Sequence, residues 1–348
     1  MTTTSARTRL GLALTVLVAA TGCGASEPVQ SAPVAVQREG ATRYPLTLES
    51  CGQELTIDAP PQRVVSLDQG STEILLSLGL QDAVVGTASW TDPLPPSLEG
   101  AGADVPRLAD NAPTWEVVLG ADPDLVTASF GRHFTRGGVA ERSRFAETGI
   151  PTYLSPTDCD GGTSVNGGGT RTAPVTMDAV YAEVRELAEV FDVQQRGEEL
   201  VADLQRRREA ALRDVDAQDV TVALWFADTR TPYVAGGLGS ANLLTADVGA
   251  RNVFADLTDD WPAVGWETVV ERDPQVLVLG DLARDRFPGD RLADKVAFLR
   301  SDPLTATMPA VREEAFIALH GAEMNPSIRA VDGLEKIAAG LREIRERP

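Results

Sequence analysis

The chain has 348 residues, of which 31 are Lys or Arg and 51 are Asp or Glu, so its formal net charge is −20 at pH 7. Hydrophobic residues make up 43% of it, which is enough for a buried core and excludes a disordered acidic tail. The acidic balance excludes polyanionic partners such as nucleic acid. The length predicts about two domains, because single cores rarely exceed roughly 250–300 residues.

Residues 1–22 have the features of an export signal, with a basic start, an apolar run over Leu10–Ala20 and small residues before Cys23. The apolar run is too short for a permanent membrane span. Cys23 after small residues resembles a bacterial lipobox, which predicts a lipid-bearing Cys23 as the mature N-terminus. An ordinary signal peptide with an incidental Cys is the alternative. Residues 23–43 predict a flexible tether, which places the protein on the outer face of a bacterial cytoplasmic membrane.

Cys51 and Cys159 are the two cysteines that follow Cys23. Because export brings the chain into an oxidising compartment, these residues are predicted to form a disulfide. The bond would close a long loop and fix the Gly-rich segment after Cys159 to the start of the first domain. Two free buried thiols are the alternative.

An internal repeat is the most informative feature of the sequence. The segment Trp115–Val126 recurs as Trp266–Leu277, with Trp, Glu, Val, Asp and Pro aligned at a constant offset of 151 residues. Each copy predicts a short helix that ends at Asp-Pro, because the residue before proline disfavours the α region. An apolar run follows in each copy, as is typical of parallel strands that are covered on both faces. The repeat therefore predicts two similar halves.

Strands and helices are predicted to alternate in both halves. The predicted strands are Val64–Leu67, Ala83–Thr87, Leu125–Ala128, Thr152–Leu154, Val220–Trp225, Val276–Leu279 and Phe316–Leu319, and the predicted helices include Thr72–Leu78 and Ile328–Arg345. The alternation indicates an α/β fold with two similar parallel-sheet lobes, at 44–175 and 216–348. Residues 176–215 between them have apolar residues at helical spacing, which predicts a connection with one long rigid bridging helix. A ligand cleft is expected between the lobes.

Several stretches together resemble the extracytoplasmic solute-binding lipoproteins of ABC importers. They are Pro60–Ser66, Ser71–Leu80, Val84–Thr87, Pro106–Asp110 and Gly249–Phe254. The resemblance covers residues 44–345 and is greatest to the iron–siderophore and cobalamin class, in particular to actinobacterial ferric-siderophore-binding (FecB-like) proteins. It implies the class III periplasmic-binding-protein fold with a small hinge motion.

The resemblance implies a monomer that captures a ferric siderophore and delivers it to an ABC permease dimer with its ATPase. Cobalamin or haem is the alternative ligand. A cell-envelope interaction protein that kept the fold without transport is the alternative function.

Residues just after the predicted strands are candidates for ligand binding, because ligands of open α/β sheets lie beyond the carboxyl ends of the strands. Rigid aromatic rings suit a bulky, partly apolar ligand. Arg132 and Arg329 would hold carboxylates or a negatively charged ferric chelate, and Gln69 and Asn325 would make neutral hydrogen bonds. Trp261 is included because the resemblance places it in the cleft. The candidates are Asp68, Gln69, Trp90, Phe130, Arg132, His133, Trp225, Phe226, Tyr233, Trp261, His320, Asn325 and Arg329. Packing at a lobe edge is the alternative for each ring.

No metal site or cofactor of its own is expected for the chain. His133 and His320 are the only histidines and fall in different predicted lobes, whereas direct zinc or manganese capture needs three or four converging ligands. The sequence contains no H-E-x-x-H, C-x-x-C, G-x-S-x-G or phosphate-loop motif. The chain is therefore predicted to be no enzyme, and any iron is expected to arrive already chelated.

The acidic members of the repeat are Glu116 and Glu267. In the class that the chain resembles, one glutamate of each lobe docks onto arginines of the permease. The resemblance implies that Glu116 and Glu267 are these two residues. A two-lobe protein that meets a two-fold permease requires equivalent charges on equivalent faces. The alternative is two carboxylates that the helix dipole stabilises. Trp115 and Trp266 are expected to pack inside the lobes.

Overall fold

A computed structural model describes residues 1–2, 37–159, 171–284 and 286–346. Cys23, nearly all of the predicted signal peptide 1–22 and residues 23–36 of the predicted tether lie outside the described residues, as do residues 160–170 of the Gly-rich segment. None of the helices in the described part of the chain combines the length and the hydrophobicity that a membrane span requires.

The N-terminal lobe is a five-stranded parallel sheet preceded by an antiparallel hairpin. In chain order its elements are β1 (Leu46–Ser50), β2 (Gln53–Ile57), β3 (Val64–Ser66), α1 (Gln69–Ser77), β4 (Val84–Ala88), α2 (Pro96–Gly102), β5 (Arg107–Ala109), α3 (Trp115–Gly120), β6 (Leu125–Ala128), α4 (Arg142–Glu147) and β7 (Thr152–Leu154). The strand order is β5-β4-β3-β6-β7. Every residue of β3, β6 and β7 is buried, as expected for parallel strands that are covered on both faces.

The connection between the lobes contains two helices, α5 (Met177–Val190) and α6 (Gln194–Leu212). The chain turns between them at Asp192, which has a left-handed φ of 58°. α6 contacts both lobes: Arg196 donates to the carbonyl of Leu78 in the N-terminal lobe, and Arg207 and Arg208 pair with Asp332 and Asp247 in the C-terminal lobe. In α5, Glu183 accepts hydrogen bonds from the hydroxyls of Ser129 and Ser155 in the N-terminal lobe at 2.9 and 2.7 Å. Just before α5, the backbone N–H of Val175 donates to a carbonyl of the C-terminal lobe.

The C-terminal lobe is built in a similar way, but its sheet has four parallel strands and one short antiparallel strand. Its elements are β8 (Thr221–Ala227), β9 (Tyr233–Val234), α7 (Ser240–Asp247), β10 (Arg251–Asn252), α8 (Trp266–Arg272), β11 (Val276–Asp281), α9 (Leu292–Ser301), α10 (Pro309–Arg312), β12 (Phe316–His320) and α11 (Ala330–Glu346). The parallel order is β10-β8-β11-β12, and β9 pairs antiparallel with β8. The two copies of the sequence repeat are α3-β6 and α8-β11, so the predicted two-lobe α/β fold is confirmed.

Trp115 and Trp266 anchor the repeat helices in equivalent ways. The ring of Trp115 meets the edge of Phe145 with centroids 4.7 Å apart, and Trp266 meets Trp225 at the same distance. Both tryptophans are buried. The prediction that they pack inside the lobes is confirmed.

Residues 37–43, at the end of the predicted flexible tether, are held against the turn between α5 and α6. The carboxylate of Asp192 accepts hydrogen bonds from the backbone N–H groups of Gly40, Ala41 and Thr42 at 2.7–2.9 Å. Arg38 donates to the carbonyl of Phe191 at 2.9 Å. Because their backbone donors are satisfied by the folded domain, the prediction of flexibility does not hold for residues 37–43.

Cys51 and Cys159 form a disulfide, with Cα atoms 4.9 Å apart. The predicted pairing is therefore confirmed, and the alternative of two free thiols is wrong. The bond joins the turn of the β1-β2 hairpin to the segment that follows β7.

Candidate ligand cleft between the lobes

Two cavities between the lobes both reach Asp92. The basic cavity, of about 500 Å³, is lined by Trp90, Arg107, Arg284 and Arg286, among others. It continues into a small inner pocket that is lined by Gln69, Gly70, Ser89, Thr91, Phe130, Arg132, Phe226, Arg284 and Asn325. The acidic cavity, of about 570 Å³, is lined by residues 92–96 of the N-terminal lobe and by His320, Glu323, Arg329, Asp332, Glu335, Lys336 and Ala339 of the C-terminal lobe.

The loop after β4 joins the lobes between these cavities. The buried carboxylate of Asp92 accepts hydrogen bonds from the backbone N–H groups of Ala322 at 2.7 Å and Ala283 at 3.3 Å, both in the C-terminal lobe. The side-chain oxygen of Gln69 accepts from the backbone N–H groups of Thr91 and Asp92 at 3.0 and 3.2 Å. Gln69 therefore fixes the loop that closes the cleft, in addition to lining the inner pocket.

Asp68 supports the cleft from below and does not line it. It caps α1 by accepting from the backbone N–H of Ser71 at 3.0 Å. Its other oxygen accepts from the backbone of Ser129 at 2.7 Å and of Phe130 at 3.3 Å, which fixes the loop after β6. Burial raises the pKa of Asp68, and these hydrogen bonds oppose that rise. The prediction that Asp68 contacts ligand is wrong, because its oxygens are used within the N-terminal lobe.

The loop after β6 presents Arg132 to the inner pocket. Its guanidinium lies over the ring of Phe130, 5.1 Å from the centroid. The Nε of Arg132 is buried and has no hydrogen-bond partner among the described residues. Burial lowers the pKa of Arg132, Asp68 opposes this, and Arg286 lowers the pKa further. A buried cation with an unused donor is suited to an acidic ligand group.

His133 is buried beside Asp68 and does not reach the cleft. Its Nε2 lies 3.8 Å from the Asp68 carboxylate, and neither ring nitrogen has a hydrogen-bond partner among the described residues. Burial, reinforced by Arg132, lowers the pKa of His133 well below its usual value, so the ring is neutral. The prediction of a ligand contact at His133 is wrong, because the loop turns its ring into the lobe.

Trp225 and Phe226 are consecutive residues of β8 and face opposite sides of the strand. Trp225 packs against Trp266 and donates its indole N–H to the carbonyl of Ala227 at 2.9 Å. Its predicted place in the cleft is therefore wrong. Phe226 lines the inner pocket, and Trp261 packs on it with ring centroids 4.7 Å apart. Trp261 is buried behind Phe226.

Arg284 follows β11 and was missed by the sequence prediction. Its guanidinium lies 5.0 Å from the ring centroid of Phe226 and 5.7 Å from that of Phe287. The side chain is 11% exposed, and its Nε lies 3.6 Å from the Asp290 carboxylate. Neither its Nε nor its Nη2 has a hydrogen-bond partner in the described part of the chain. Burial lowers the pKa of Arg284, and Arg286 and Arg132 lower it further, although Asp290 opposes them.

Arg286 was missed as well and reaches across the cleft. Its guanidinium donates to the backbone carbonyl of Asp110 at 3.1 Å, in the N-terminal lobe. The rule that ligands lie beyond strand ends finds both arginines when it is applied to the exit of β11. The predicted ligand residues include several that follow β6, the equivalent strand of the first repeat copy, but none that directly follows β11.

Arg329 lies at the other side of the junction, in the acidic cavity. Its guanidinium makes ion pairs with Glu73 at 3.3 Å, Glu323 at 3.4 Å and Asp332 at 2.6 Å. Three carboxylates thus each take a donor of Arg329, and its predicted role as a cationic handle for ligand stays a prediction. His320 is half-exposed in the same cavity, with its Nδ1 4.0 Å from Asp92.

The structure thus brings together about half of the predicted ligand residues. Gln69, Trp90, Phe130, Arg132, Phe226 and Asn325 line the basic cavity or its inner pocket. Trp90 donates its indole N–H to Thr87 at 2.8 Å and stacks under Arg107 at 5.1 Å. Tyr233 is half-buried, with its ring centroid 6.1 Å from that of Phe287. Among the described residues, no group of three or more His, Cys, Asp or Glu side chains is placed to hold a metal ion.

Glu116 and Glu267 are exposed in the first turns of α3 and α8. The two carboxylates therefore occupy equivalent places on the two lobes. Hydrogen bonds from its own backbone amide and from Thr114 lower the pKa of Glu116. Docking and the alternative, stabilisation by the helix dipole, both remain predictions for Glu116 and Glu267.

Comparison with known proteins gives the family. The model of the family described as "Periplasmic binding protein" matches residues 64–322. A vitamin B12-binding protein of Pectobacterium atrosepticum is 24% identical over 273 residues, which cover 74% of this chain and 83% of that protein.

Two solved structures are similar over most of the chain. A periplasmic binding protein from Veillonella parvula superposes with a TM-score of 0.72 at 24% identity and covers 85% of this chain and 96% of that one. The structure described as an ABC-type Fe3+-hydroxamate transport system from Saccharomonospora viridis has a TM-score of 0.68 at 28% identity, with coverage of 86% and 99%. The chain belongs to the periplasmic binding protein family, which is extracytoplasmic and binds substrates instead of converting them.

Proposed function

We propose that this protein is the substrate-binding component of an ABC importer, anchored outside the membrane through Cys23, and that it captures an anionic ferric siderophore. The observation that carries the proposal is the position of three arginines from opposite lobes along the basic cavity and its inner pocket: Arg286 lines the cavity, Arg132 lines the inner pocket and Arg284 lines both. This cluster of cations is notable in a chain with a formal charge of −20. The iron would enter as part of the chelate, so no resident cofactor is required.

The chemistry of the cavity suits such a ligand. Guanidinium groups bind carboxylate or catecholate oxygens through charge-assisted hydrogen bonds, which are stronger in a partly buried site. The rings of Phe130, Phe226 and Trp90 supply flat apolar walls for a bulky chelate. The similarity to a protein described as part of an Fe3+-hydroxamate transport system supports an iron chelate as the cargo.

Cobalamin is the second candidate, because a curated relative is described as vitamin B12-binding. The periphery of cobalamin is rich in neutral amides and carries a single phosphate, so it would leave most of the guanidinium donors unpaired. Haem has two propionates that suit the arginines. The charge of the cavity therefore favours an anionic chelate over cobalamin.

Isothermal titration of the full chain, purified in detergent, tests the ligand class. The probes are ferric enterobactin, an anionic tris-catecholate, ferrioxamine B, a cationic tris-hydroxamate, haemin and cyanocobalamin. We expect saturable binding of ferric enterobactin, with one site, and weaker binding of the cationic and neutral probes. Tight binding of cyanocobalamin alone would overturn the siderophore proposal.

Delivery to a permease is tested by removing both repeat carboxylates. The double substitution Glu116→Ala and Glu267→Ala is expected to abolish ferric chelate uptake in cells and to leave binding in vitro unchanged. Glu271→Ala is the matched control, because it removes an exposed carboxylate from the same helix as Glu267. Undiminished uptake by the double variant would favour an interaction protein that kept the fold.

A further inference from the structure

Guanidinium groups from opposite lobes face the same inner pocket. Arg132 reaches it from the loop after β6, and Arg284 reaches it from the segment after β11. Three of their nitrogens are buried without a hydrogen-bond partner among the described residues: Nε of Arg132, and Nε and Nη2 of Arg284. Unused buried donors on a cation are costly, so the arrangement lacks an acceptor.

Acids lie near both arginines but accept no hydrogen bond from these three nitrogens. Arg284 has Asp290 at 3.6 Å and Asp92 in its surroundings, and Arg132 has Asp68 and Asp158. Both arginines nevertheless have lowered pKa values, chiefly through burial, and both lie in the field of Arg286. Like charges brought together in a poorly solvated place repel each other, and separation of the lobes would hydrate them.

Other contacts pull the lobes together. Asp92 accepts hydrogen bonds from Ala322 and Ala283, Arg329 pairs with Glu73, and Arg286 donates to Asp110. The junction therefore combines attraction at Asp92 and Glu73 with repulsion in the inner pocket. A ligand that supplies negative charge to the inner pocket would remove the repulsion and leave the attraction.

We propose that Arg284 determines which ligand charge the protein accepts: opposite Arg132, its guanidinium weakens the junction between the lobes until an acidic group of the ligand lies between the two cations. The preference for an anionic ligand rests on the proposed function. The predicted effect of Arg284 on the junction between the lobes does not depend on the ligand and rests on this structure alone. An anionic chelate is then favoured by two effects, direct pairing with the arginines and a stronger junction between the lobes, whereas a neutral or cationic chelate gains neither.

Hydrogen–deuterium exchange of the full chain in detergent, without any chelate, tests the lobe equilibrium. The backbone amides of Ala283 and Ala322 report closure, because their acceptor Asp92 lies on the other lobe. Arg284→Gln is expected to slow their exchange by about tenfold, since it removes one of the like charges. Arg284→Lys keeps the charge and should exchange like the wild type, and so should Arg291→Gln, which removes an exposed arginine of the same lobe.

Arg132→Gln tests whether slower exchange in Arg284→Gln is only a local effect of that substitution on the neighbouring residues. It removes the opposing charge from the other lobe, so it must slow the same two amides. If neither neutral variant slows exchange, or if all variants slow it equally, the proposal is wrong.

Affinity provides the second readout. In Arg284→Gln, the affinity for ferric enterobactin is expected to fall by about 10- to 100-fold, while that for ferrioxamine B stays level or rises. An equal loss for both probes would mean a merely structural role and would overturn the proposal. If no probe binds the wild type, the proposed function fails, but the exchange experiment still decides the role of Arg284.

Discussion

Arg329 and Arg284 lie at the same junction between the lobes but in opposite electrostatic settings. Arg329 is 9% exposed and is paired with three carboxylates, whereas Arg284 is 11% exposed and has two unpartnered buried nitrogens among the described residues. Residue type and burial are therefore almost the same at the two positions. The difference teaches that the partners of a buried cation decide whether it holds the protein together or is available to a ligand.

The network around Arg329 is close to neutral, with a slight excess of acid. Its cations are Arg329, Lys336 and Arg207, and its acids are Glu73, Glu323, Asp332 and Glu335. Three positive and four negative charges leave one negative charge in excess. Burial raises the pKa of Glu73 to about 7; Arg329 opposes this rise, and the neighbouring acids Asp332 and Asp92 add to it.

The largest expected effect comes from neutralising Arg329. Arg329→Gln leaves Glu73 and Glu323 buried without their shared cation, so the free energy of unfolding should fall by about 3–5 kcal/mol. Arg284→Gln should leave it unchanged or raise it slightly. Urea unfolding followed by tryptophan fluorescence measures both variants. Equal losses in the two variants would remove the distinction between Arg329, which has three carboxylate partners, and Arg284, which has Asp290 at 3.6 Å.

The titration of Glu73 gives the next effect. Its pKa is about 7 in the folded protein against a usual 4.5, so the folded state binds the additional proton between these values. Stability from this group is present below pH 4.5 and is lost as the pH rises to 7, by on the order of 3 kcal/mol. Glu73→Gln should therefore lessen the fall in unfolding free energy between pH 5 and 8 by about this amount.

Glu183 keeps its own contribution to that fall in both proteins, because its pKa is also raised by burial, to about 8. The difference between wild type and Glu73→Gln therefore isolates Glu73. Identical pH profiles for the two proteins would show that Glu73 remains ionised throughout.

The fold could be predicted from sequence because its signals are local. The apolar runs and the Asp-Pro turns of the repeat directly mark β6 and β11, which the structure places at Leu125–Ala128 and Val276–Asp281. The hairpin β1-β2 was not predicted, although Leu55 and Ile57 are buried and alternate with exposed residues, because it has no partner in the repeat that guided the prediction.

The site was harder to predict because the ion pairs and hydrogen bonds that decide the role of each side chain join residues that are far apart in the sequence. Arg329 appeared to be available until the structure showed Glu73, which lies 256 residues away in the chain. Trp225 and Phe226 have similar side chains, and only the strand's register decides which one lines the inner pocket. Asp68 directly follows a strand, as a ligand-binding residue would. Its two carboxylate oxygens, however, accept hydrogen bonds from the first turn of α1 and from the loop after β6.

Neutralising Arg132 is expected to have a smaller effect, seen in ligand binding. Arg132→Gln removes a charge-assisted contact to an anionic chelate, so affinity for ferric enterobactin should fall by roughly 1.5–3 kcal/mol, with little change in stability. Titration calorimetry of the variant beside Arg291→Gln measures it. A loss of less than threefold would show that Arg132 does not touch the chelate.

The smallest effect is expected from raising the salt concentration, which should affect the basic cavity more than the acidic cavity because the basic cavity is more accessible to solvent. The basic cavity is open beside Trp90 and Arg107, which is 41% exposed, whereas Glu73 is fully buried beneath Arg329. Raising the salt concentration from about 0.05 to 0.5 M shortens the Debye length to a few ångströms, so binding of ferric enterobactin should weaken by about two- to fivefold. The stability difference between wild type and Arg329→Gln should persist, because buried pairs are screened far less. Titrations and urea unfolding at both salt concentrations compare the cavities directly. If salt instead abolished the stability difference and left binding intact, the assignment of Arg329 to structure and of Arg132 and Arg284 to ligand binding would be reversed.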